Sequence, residues 1–271
     1  MQSKLTDLST AIGRVQNGYR VAIGGNTIHR GPGAAVHEIV RQGMSGLDVI
    51  KTAGSYDIDL LSAAGCAASV SAGYVGYESV IGQAPAYRRA VESGAVVANE
   101  HACYTVIAGL RAAIQGVPFM PVAGLLGSDL LAARSFRTIA DPYTGETVVA
   151  APVLKPDVAI IHVHEADELG NALIVGSKFE DVLMAQAADY VILTAERIVD
   201  GSAFAADPSR ATISSLYVNA VVEAPRGAWP LGCAGLYEPD LAFLGEFVEA
   251  GKDPDRLAEF IADRVLSMVA A

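Results

Sequence analysis

The sequence is poor in charge, and the charge that it has is acidic. Charged residues make up only 18% of the 271 positions, and 19 basic against 30 acidic residues leave a formal net charge of −11. A chain with this balance has no general field to attract nucleic acid or an anionic membrane surface. Hydrophobic residues reach 52%, which is enough to bury a large core and excludes a mainly disordered chain.

Cysteine is scarce as well. The three cysteines, Cys66, Cys103 and Cys233, form no Cys-x-x-Cys motif, and their odd number argues against a secreted disulfide framework. The first residues show no basic region followed by an apolar run, the pattern of a signal peptide. The uncharged stretch at 60–77 contains serines and glycines, which suit a membrane poorly. We therefore expect a reduced, soluble, cytoplasmic protein that contacts no membrane.

Aromatic residues make up only 7% of the chain, whereas glycine occurs 27 times. The core must therefore consist mainly of Ala, Val, Ile and Leu, with many turns between its elements. Because so little of the surface can be charged, we expect part of it to be buried against a second chain.

Short apolar runs alternate along the chain with segments of helical periodicity. The runs lie at 20–23, 48–50, 95–97, 148–151, 157–163 and 189–194, and the helical segments at 5–16, 34–41, 85–93 and 105–115. Continuous Val and Ile runs are typical of parallel strands that are buried on both faces. The polar segment at 202–210 is expected to be a surface loop, and 226–238 to be irregular.

A last helix is predicted to begin at Asp253-Pro254, and its apolar stripe consists of Leu257, Ile261, Val265 and Met268. The whole pattern predicts a single α/β domain over 1–271, with an open, layered, mainly parallel sheet flanked by helices. Ligands bind such sheets at the carboxyl ends of the strands.

Several short motifs admit an ordinary structural explanation beside a chemical one. His162 and His164 share a strand face and could bind a metal ion, or they could simply hydrogen-bond at a strand end; we expect no metal. His101 and Cys103 suggest a thiol–imidazole pair, but a catalytic base is usually distant in sequence from its cysteine. The glycines before Lys178 lack the spacing of a phosphate-binding loop.

Two glycine-rich loops carry the stronger signals. In the loop at 23–32, Gly24 and Gly25 follow a strand and would let the backbone approach a ligand closely, and Arg30 could bind a carboxylate or phosphate. The alternative is an ordinary turn with a solvated arginine. In the loop at 73–79, Glu78 could be a base or a nucleophile, or else an exposed turn residue or a helix cap.

These loops, together with the motifs that follow them, resemble the family I coenzyme A transferases, and in particular the alpha (A) subunits of the glutaconate CoA-transferase-like branch. The similar stretches occur in order over about residues 5–225, at 23–32, 57–61, 73–78, 84–90, 108–113, 116–121, 126–130 and 162–172. Each stretch is weak alone, and their common order and spacing make the resemblance specific.

The resemblance implies the open α/β fold that these transferases share with ribose-phosphate isomerases and sugar-sensing repressors. It implies an alpha subunit that pairs with a homologous beta subunit in a heterotetramer or larger assembly. The complex would move CoA between an acyl-CoA and a small carboxylic acid, with coenzyme A as a substrate and no further cofactor. The catalytic glutamate would belong to the beta subunit, so this chain would contain no catalytic nucleophile and would be inactive alone.

The resemblance also assigns supporting roles within this chain. Gly24, Gly25 and Asn26 would line the acyl pocket and support the oxyanion, and Arg30 would hold the loop or a substrate carboxylate. The remaining candidates for substrate binding are Tyr77, Glu78, Glu100 and Tyr104.

Cys103 departs from the pattern of the family. At this position the oxoacid branch has a glutamine and the ring-cleaving hydrolases have a glutamate, so Cys103 would have to provide oxyanion support differently, with Glu100 and Tyr104 as flanking substitutes. The alternative function is therefore the alpha subunit of a CoA-thioester hydrolase or ring-cleaving hydrolase on the same scaffold. A ligand sensor is a third hypothesis, and the acidic charge disfavours it. The sequence does not name the acid.

Overall fold

The computed structural model describes residues 2–134 and 136–267. The helices in these ranges are α1 (Leu8–Ile12), α2 (Gly33–Arg41), α3 (Tyr56–Ala63), α4 (Glu78–Ile81), α5 (Pro85–Glu92), α6 (Cys103–Gln115), α7 (Asp129–Ala133), α8 (Asp181–Ala187), α9 (Ser202–Ala206), α10 (Leu241–Ala250) and α11 (Pro254–Ile261). The strands are β1 (Arg20–Ile23), β2 (Leu47–Ile50), β3 (Ala53–Gly54), β4 (Ala67–Ala72), β5 (Tyr74–Val75), β6 (Val97–Glu100), β7 (Phe119–Val122), β8 (Arg137–Ala140), β9 (Thr147–Pro152), β10 (Val158–Ala166), β11 (Ala172–Leu173), β12 (Tyr190–Ile198) and β13 (Ala220–Glu223).

A parallel sheet forms the centre of the molecule, with the strand order β13-β12-β10-β1-β2-β4-β6. The short β11 pairs with the end of β10 in the antiparallel direction. Two smaller sheets lie outside it, the parallel pair β3-β5 and the antiparallel β7-β9-β8. Because the chain runs from β1 toward β6 and later returns to β10 on the other side of β1, the strand order reverses between β1 and β10. A crevice for ligands opens at such a reversal.

Both faces of this sheet are covered, which explains its continuous apolar runs. In β10, Val158 and Ile160 belong to the core on one face, whereas Ala159 and Ile161 belong to the core on the other. Helices α2, α3, α10 and α11 contribute to the first core, and α6 and α8 contribute to the second. The predicted α/β architecture is confirmed.

Most of the predicted elements are confirmed, and the differences have local causes. The first helix is shorter than predicted, because Asp7 caps it by accepting a hydrogen bond from the Thr10 N–H at 2.8 Å, and Leu5 pairs with Val221. The run at 148–151 forms a strand, but in the antiparallel sheet. The segment at 202–210 is a short helix followed by a 3-10 turn, and not a loop. Met268 of the predicted stripe lies outside the described residues.

Among the described residues, no helix is both long enough and apolar enough to cross a membrane.

Asp59 of α3 is a carboxyl group in the apolar core. Its side chain is fully buried and accepts hydrogen bonds from the Tyr77 hydroxyl at 2.9 Å and from the Tyr87 N–H at 2.7 Å. Burial raises the pKa of Asp59 to about 6. The folded protein therefore holds this proton in a pH range in which the unfolded chain has released it.

This difference predicts that Asp59 weakens folding as the pH rises. The folded pKa of about 6 exceeds the unfolded value of about 3.9. The stability that this group contributes is therefore lost as the pH rises from about 3.9 through about 6. From pH 4.5 to pH 7.5, the free energy of unfolding of the native chain should fall by roughly 2 kcal/mol relative to Asp59→Asn. Urea unfolding at both pH values measures the difference.

Asp7 provides a control of opposite sign. Hydrogen bonds from Thr10 lower the pKa of this exposed carboxyl, so Asp7→Asn should lose stability relative to the native chain as the pH rises to about 3.9 and should move little between pH 4.5 and pH 7.5. If Asp7→Asn gained stability between pH 4.5 and pH 7.5 as Asp59→Asn does, the explanation for Asp59 would be wrong.

Candidate active site at the carboxyl edge of the sheet

The loop after β1 turns at the crevice between β1 and β10. The Gly24 N–H continues the sheet by donating to the Ile160 carbonyl at 2.9 Å. The next peptide bond is held at both ends, because Lys51 Nζ donates to the Gly24 carbonyl at 2.6 Å and the Gly25 N–H donates to Asp181 Oδ1 at 2.9 Å. Lys51 follows β2, and Asp181 begins α8, so three separate elements fix the start of the loop.

Arg30 fills the crevice with its side chain, which is only 3% exposed. Its Nη1 donates to Asp181 Oδ2 at 2.5 Å and to the His162 carbonyl at 2.7 Å, and its Nη2 donates to the Ser177 carbonyl at 3.0 Å. Of the two roles considered for Arg30, these contacts support holding the loop. They leave the guanidinium no access to a substrate carboxylate in this conformation, and the alternative of a solvated arginine is wrong.

The two glycines are needed by the loop itself. Gly25 has φ +72°, and a Cβ atom there would lie 2.5 Å from the Arg30 carbonyl carbon. A Cβ atom on Gly24 would lie 3.1 Å from Asp181 Oδ1. Both backbone N–H groups already donate within the chain, and the Asn26 N–H donates to the His29 carbonyl at 2.9 Å. The backbone N–H groups of Gly24 and Gly25 are therefore already engaged, and these contacts do not support the oxyanion role expected for the two glycines.

The side chain of Asn26 is different, because no hydrogen bond to it is found among the described residues. It is half-buried and lies in the tight turn that the Asn26 and His29 backbones close by hydrogen-bonding each other. Its amide thus remains able to donate a hydrogen bond to a ligand, beside the exposed ring of His29 in the same turn.

Glu78 lies beside this turn. Its carboxylate accepts a hydrogen bond from the Thr27 hydroxyl, and one oxygen lies 3.5 Å from His29 Nε2. Glu78 has φ +58° and Thr27 has φ +43°, both in the left-handed region that such residues seldom adopt. Strained residues of this kind cluster at functional sites, and the half-exposed Glu78 is accessible from outside.

Tyr77, in contrast, is fully buried, and its hydroxyl donates to Asp59. A ligand has no access to this side chain in this conformation, so nothing here supports the predicted role of Tyr77 in substrate binding.

Cys103 begins α6, and its thiol lies 3.6 Å from the Thr52 carbonyl, to which it donates. Burial, together with the negative charge of Glu180, raises the pKa of this thiol. Cys103 is therefore an uncharged weak donor and not an activated thiolate. Glu180 also reaches Thr52, because its Oε2 accepts a hydrogen bond from the Thr52 hydroxyl at 2.5 Å.

The thiol–imidazole pair considered for His101 is not formed. His101 Nδ1 lies 3.0 Å from the Thr105 hydroxyl, and the ring packs edge-on against Phe136. Of the two residues that flank Cys103 as substrate candidates, Glu100 ends β6 and is exposed, and Tyr104 is 54% exposed. Both are accessible near the carboxyl edge.

Three charged residues of the site escaped the sequence analysis: Lys51, Asp181 and Glu180. The sequence contains a signal for the first, because a lysine directly after the buried run at 48–50 has to find a partner. Asp181 and Glu180 open a helix with acidic residues, which is also an ordinary helix start. No nearby residue in the sequence signals that Asp181 pairs with the loop after β1 or that Glu180 pairs with Thr52.

A second polar cluster lies at the ends of β10 and β12. His162 Nε2, a Glu196 oxygen and Cys233 Sγ lie within 4.8 Å of one another, a separation that a metal ion could bridge. His162 is fully buried, and burial lowers its pKa, so the neutral ring donates from Nε2 to Glu196 at 2.8 Å and accepts at Nδ1 from the Thr194 hydroxyl at 2.9 Å. The Tyr237 hydroxyl also donates to Glu196.

His164 and Cys233 complete this cluster without a demand for an ion. His164 Nδ1 accepts from the Val175 N–H at 3.2 Å, so its Nε2 carries the proton and donates to the Ala234 carbonyl at 2.9 Å. Burial raises the pKa of Cys233 to about 12, which keeps the thiol protonated. These contacts match the hydrogen-bonding alternative for the two histidines, and the absence of a metal stays a prediction.

The fold is that of an α/β protein with a mainly parallel sheet, and a network of buried charged groups lies where its strand order reverses. A family model for coenzyme A transferases matches residues 5–224, so the chain belongs to the coenzyme A transferase family. The predicted family, and with it an enzyme of this class, is confirmed.

Three curated relatives extend this assignment. An uncharacterized protein of Archaeoglobus fulgidus is 37% identical over 91% of this chain, and the chain covers only 55% of that protein. The alpha (A) subunit of the glutaconate CoA-transferase of Acidaminococcus fermentans is 34% identical over 98% of this chain and 89% of the relative. The cholesterol ring-cleaving hydrolase IpdA subunit of Rhodococcus jostii is 30% identical over 96% of this chain and 91% of the relative.

Two solved structures match the fold closely. The crystal structure of glutaconate coenzyme A-transferase from Acidaminococcus fermentans has a TM-score of 0.94, with 34% identity, and the match covers 98% of this chain and 90% of the other. A variant of the decarboxylase AibA/AibB has a TM-score of 0.85, with 32% identity, and the match covers 96% of this chain and 100% of the other.

The contacts of Gly25 predict a specific effect of adding one methyl group. Gly25→Ala combines a left-handed φ with a clash against Arg30 and should lower the free energy of unfolding by roughly 3–4 kcal/mol. Gly18→Ala is the matched control, because Gly18 has φ +80° and nothing within 4 Å of the added atom. It should cost only about 1–2 kcal/mol, the backbone penalty alone. Equal losses in denaturant unfolding would contradict the close packing of the loop.

Proposed function

We propose that the chain is the alpha subunit of a two-subunit CoA-transferase that moves CoA between an acyl-CoA and a small carboxylic acid. The observation that carries this proposal is the match, over nearly the whole chain, to the alpha (A) subunit of glutaconate CoA-transferase in both sequence and structure. A second relative, from Pseudomonas knackmussii, is named as the corresponding subunit of 3-oxoadipate CoA-transferase and is 32% identical. Both names indicate small organic acids as substrates.

The partner would be a homologous beta subunit that provides the catalytic glutamate. Its carboxylate attacks the thioester carbonyl of the acyl-CoA and expels the CoA thiolate, which leaves an acyl-glutamyl anhydride. The thiolate then attacks the glutamyl carbonyl and releases the acid, and the second acid recovers CoA by the same steps in reverse. A tetrahedral oxyanion forms at each step, and a preorganised donor lowers its energy by several kcal/mol.

Residues of this chain would support those steps from the loop after β1. The Asn26 amide, to which no hydrogen bond is found among the described residues, is a donor there, whereas the Cys103 thiol on α6 would have to give up its contact with the Thr52 carbonyl to donate. Glu78, Glu100 and Tyr104 are accessible for substrate contacts. Arg30 contributes to the shape of the site and not to its accessible charge, because Asp181 and two backbone carbonyls occupy its guanidinium.

The hydrolase alternative draws on the similarity to the ring-cleaving hydrolases. A hydrolase needs a base for water, and the raised pKa of the Cys103 thiol disqualifies that residue but not the accessible Glu78 and Glu100. Transfer is the better supported reaction because the transferase subunit is 34% identical with a TM-score of 0.94, against 30% identity for the hydrolase subunit. Free thiols at Cys66, Cys103 and Cys233 agree with a reducing compartment, for which we propose the cytoplasm.

The proposal predicts a stable complex with a second chain and activity only in that complex. The tagged chain is purified gently from its source, and native mass spectrometry should show it with a different chain of similar size in equal number. The purified complex is then assayed by chromatography with acetyl-CoA as donor and glutaconate, glutarate or butyrate as acceptor. CoA should pass to an acceptor with ping-pong kinetics, and the isolated chain should be inactive.

Other outcomes of the same assay would point elsewhere. Release of free CoA without any acceptor acid, at the full turnover rate, would establish the hydrolase alternative. A homo-oligomer without a second chain would exclude the two-subunit mechanism.

A further inference from the structure

The peptide bond between Gly24 and Gly25 is held by two buried groups of opposite charge. Lys51 donates to its carbonyl oxygen at 2.6 Å, and Asp181 accepts from its N–H at 2.9 Å. Both side chains are completely buried. Hydrogen bonds to charged groups are about twice as strong as neutral ones, so this single peptide bond is held more firmly than its neighbours in the sheet.

Each of the two groups is itself neutralised by a buried partner. Lys51 Nζ lies 2.5 Å from Asp57 Oδ2, and Asp181 Oδ2 lies 2.5 Å from Arg30 Nη1. All four side chains are at most 3% exposed. Charges so completely removed from water need such partners, because an isolated buried charge is very costly.

The arrangement selects one orientation of the peptide plane. With the carbonyl oxygen against the ammonium group and the N–H against the carboxylate, both ends of the peptide dipole face the charge that stabilises them. Rotating the plane by half a turn would place the carbonyl oxygen against Asp181 and the N–H against Lys51, which is unfavourable at both ends. This plane ends at the Cα atom of Gly25, so Asn26 is the first residue that lies wholly beyond it.

We propose that Lys51 and Asp181 are positioning residues, which preset the Asn26 amide for the oxyanion by fixing the Gly24–Gly25 peptide between them. This inference rests on the proposed function, in which an oxyanion forms beside this loop. A donor that is fixed in advance needs no reorganisation when the charge develops, and misplacing a reacting group by about 1 Å lowers the rate by roughly 10²-fold.

Stability alone gives a weaker reason for these two ion pairs. Replacing a buried ion pair with well-packed apolar side chains is often neutral or stabilising. Two such pairs that converge on one peptide bond are therefore better explained by the single geometry that they enforce.

The test compares the native complex with Asp181→Asn and with the double variant Lys51→Met/Asp57→Asn. The asparagine has a single acceptor oxygen, which the charged Arg30 takes as the stronger donor, so its NH2 group faces the Gly25 N–H and that contact is lost. The double variant removes a whole ion pair, leaves no charge uncompensated and keeps an Oδ1 for the Ser55 and Ile58 N–H groups that Asp57 binds. It thus provides a second test if Asp181→Asn folds poorly.

Glu165→Gln is the matched control. Glu165 is a buried carboxylate that pairs with Arg197 and with Arg210, the latter at 2.8 Å, and no contact connects it with Gly24 or Gly25 among the described residues. Losing it removes a buried carboxylate without disturbing the peptide, and it should cost less stability because Arg197 and Arg210 are 68% and 37% exposed.

Two readouts are measured on the complex with its partner. With acetyl-CoA and an accepted acid, kcat should fall by roughly 10²-fold in both test variants, while KM changes by less than about 3-fold and the control keeps its kcat. Hydrogen exchange followed by mass spectrometry should show at least about 10-fold faster exchange at the Gly25 amide in Asp181→Asn only.

Unchanged exchange at Gly25 in Asp181→Asn, or a kcat within about 3-fold of the native value in both test variants, would overturn the positioning role. An equal fall of kcat in Glu165→Gln would reduce the effect to general destabilisation and would overturn it as well. If the native complex transferred no CoA at all, the proposed function would fail, and the exchange measurement would still decide whether Asp181 holds the peptide.

Discussion

The carboxylate of Asp181 is the contact on which the rest of the site depends. One of its oxygens accepts the Gly25 N–H, and the other pairs with Arg30 in the crevice between β1 and β10. Breaking a buried ion pair by removing one partner typically costs about 3–5 kcal/mol, because the remaining charge is left uncompensated. The burial of the Arg30 charge therefore depends on this one group at the start of α8, which also helps Lys51 to fix the loop after β1.

This arrangement changes the expected role of the arginine in the loop. An arginine near a substrate pocket suggests recognition of a second carboxylate, yet every contact of Arg30 points into the protein. The accessible groups beside the loop are instead the Asn26 amide, Glu78 and the uncharged thiol of Cys103. Arg30 is therefore not available, in this conformation, as the cation that would recognise the far end of a dicarboxylic acid. The acids in the names of the transferase relatives are therefore not assigned to this chain as its substrates.

The sequence predicted the central layer well, because β1, β10 and β12 are continuous apolar runs and a strand buried on both faces has no other composition. It did not predict that β9 belongs to the antiparallel sheet and not to the parallel one, because an apolar run does not indicate which strand it will pair with. It located the loop with Gly24, Gly25 and Arg30, but it left the role of Arg30 open. The deciding partner, Asp181, is 151 residues away, and only the folded chain brings the two together. Tyr77 shows the same limit, because its neighbours in sequence suggest a loop while its hydroxyl lies in the core.

Cys103 finally bears on the choice between transfer and hydrolysis. An acyl-glutamyl anhydride survives long enough to meet a second acid only if no nearby base activates water. A carboxylate at this position would be such a base, whereas a thiol with a raised pKa remains protonated and can only donate weakly. The nearby carboxylate of Glu180 is engaged by the hydroxyl of Thr52, the same residue whose carbonyl accepts from the thiol. At Cys103, therefore, the chain offers no base that would expose the anhydride to water, which agrees with transfer of CoA.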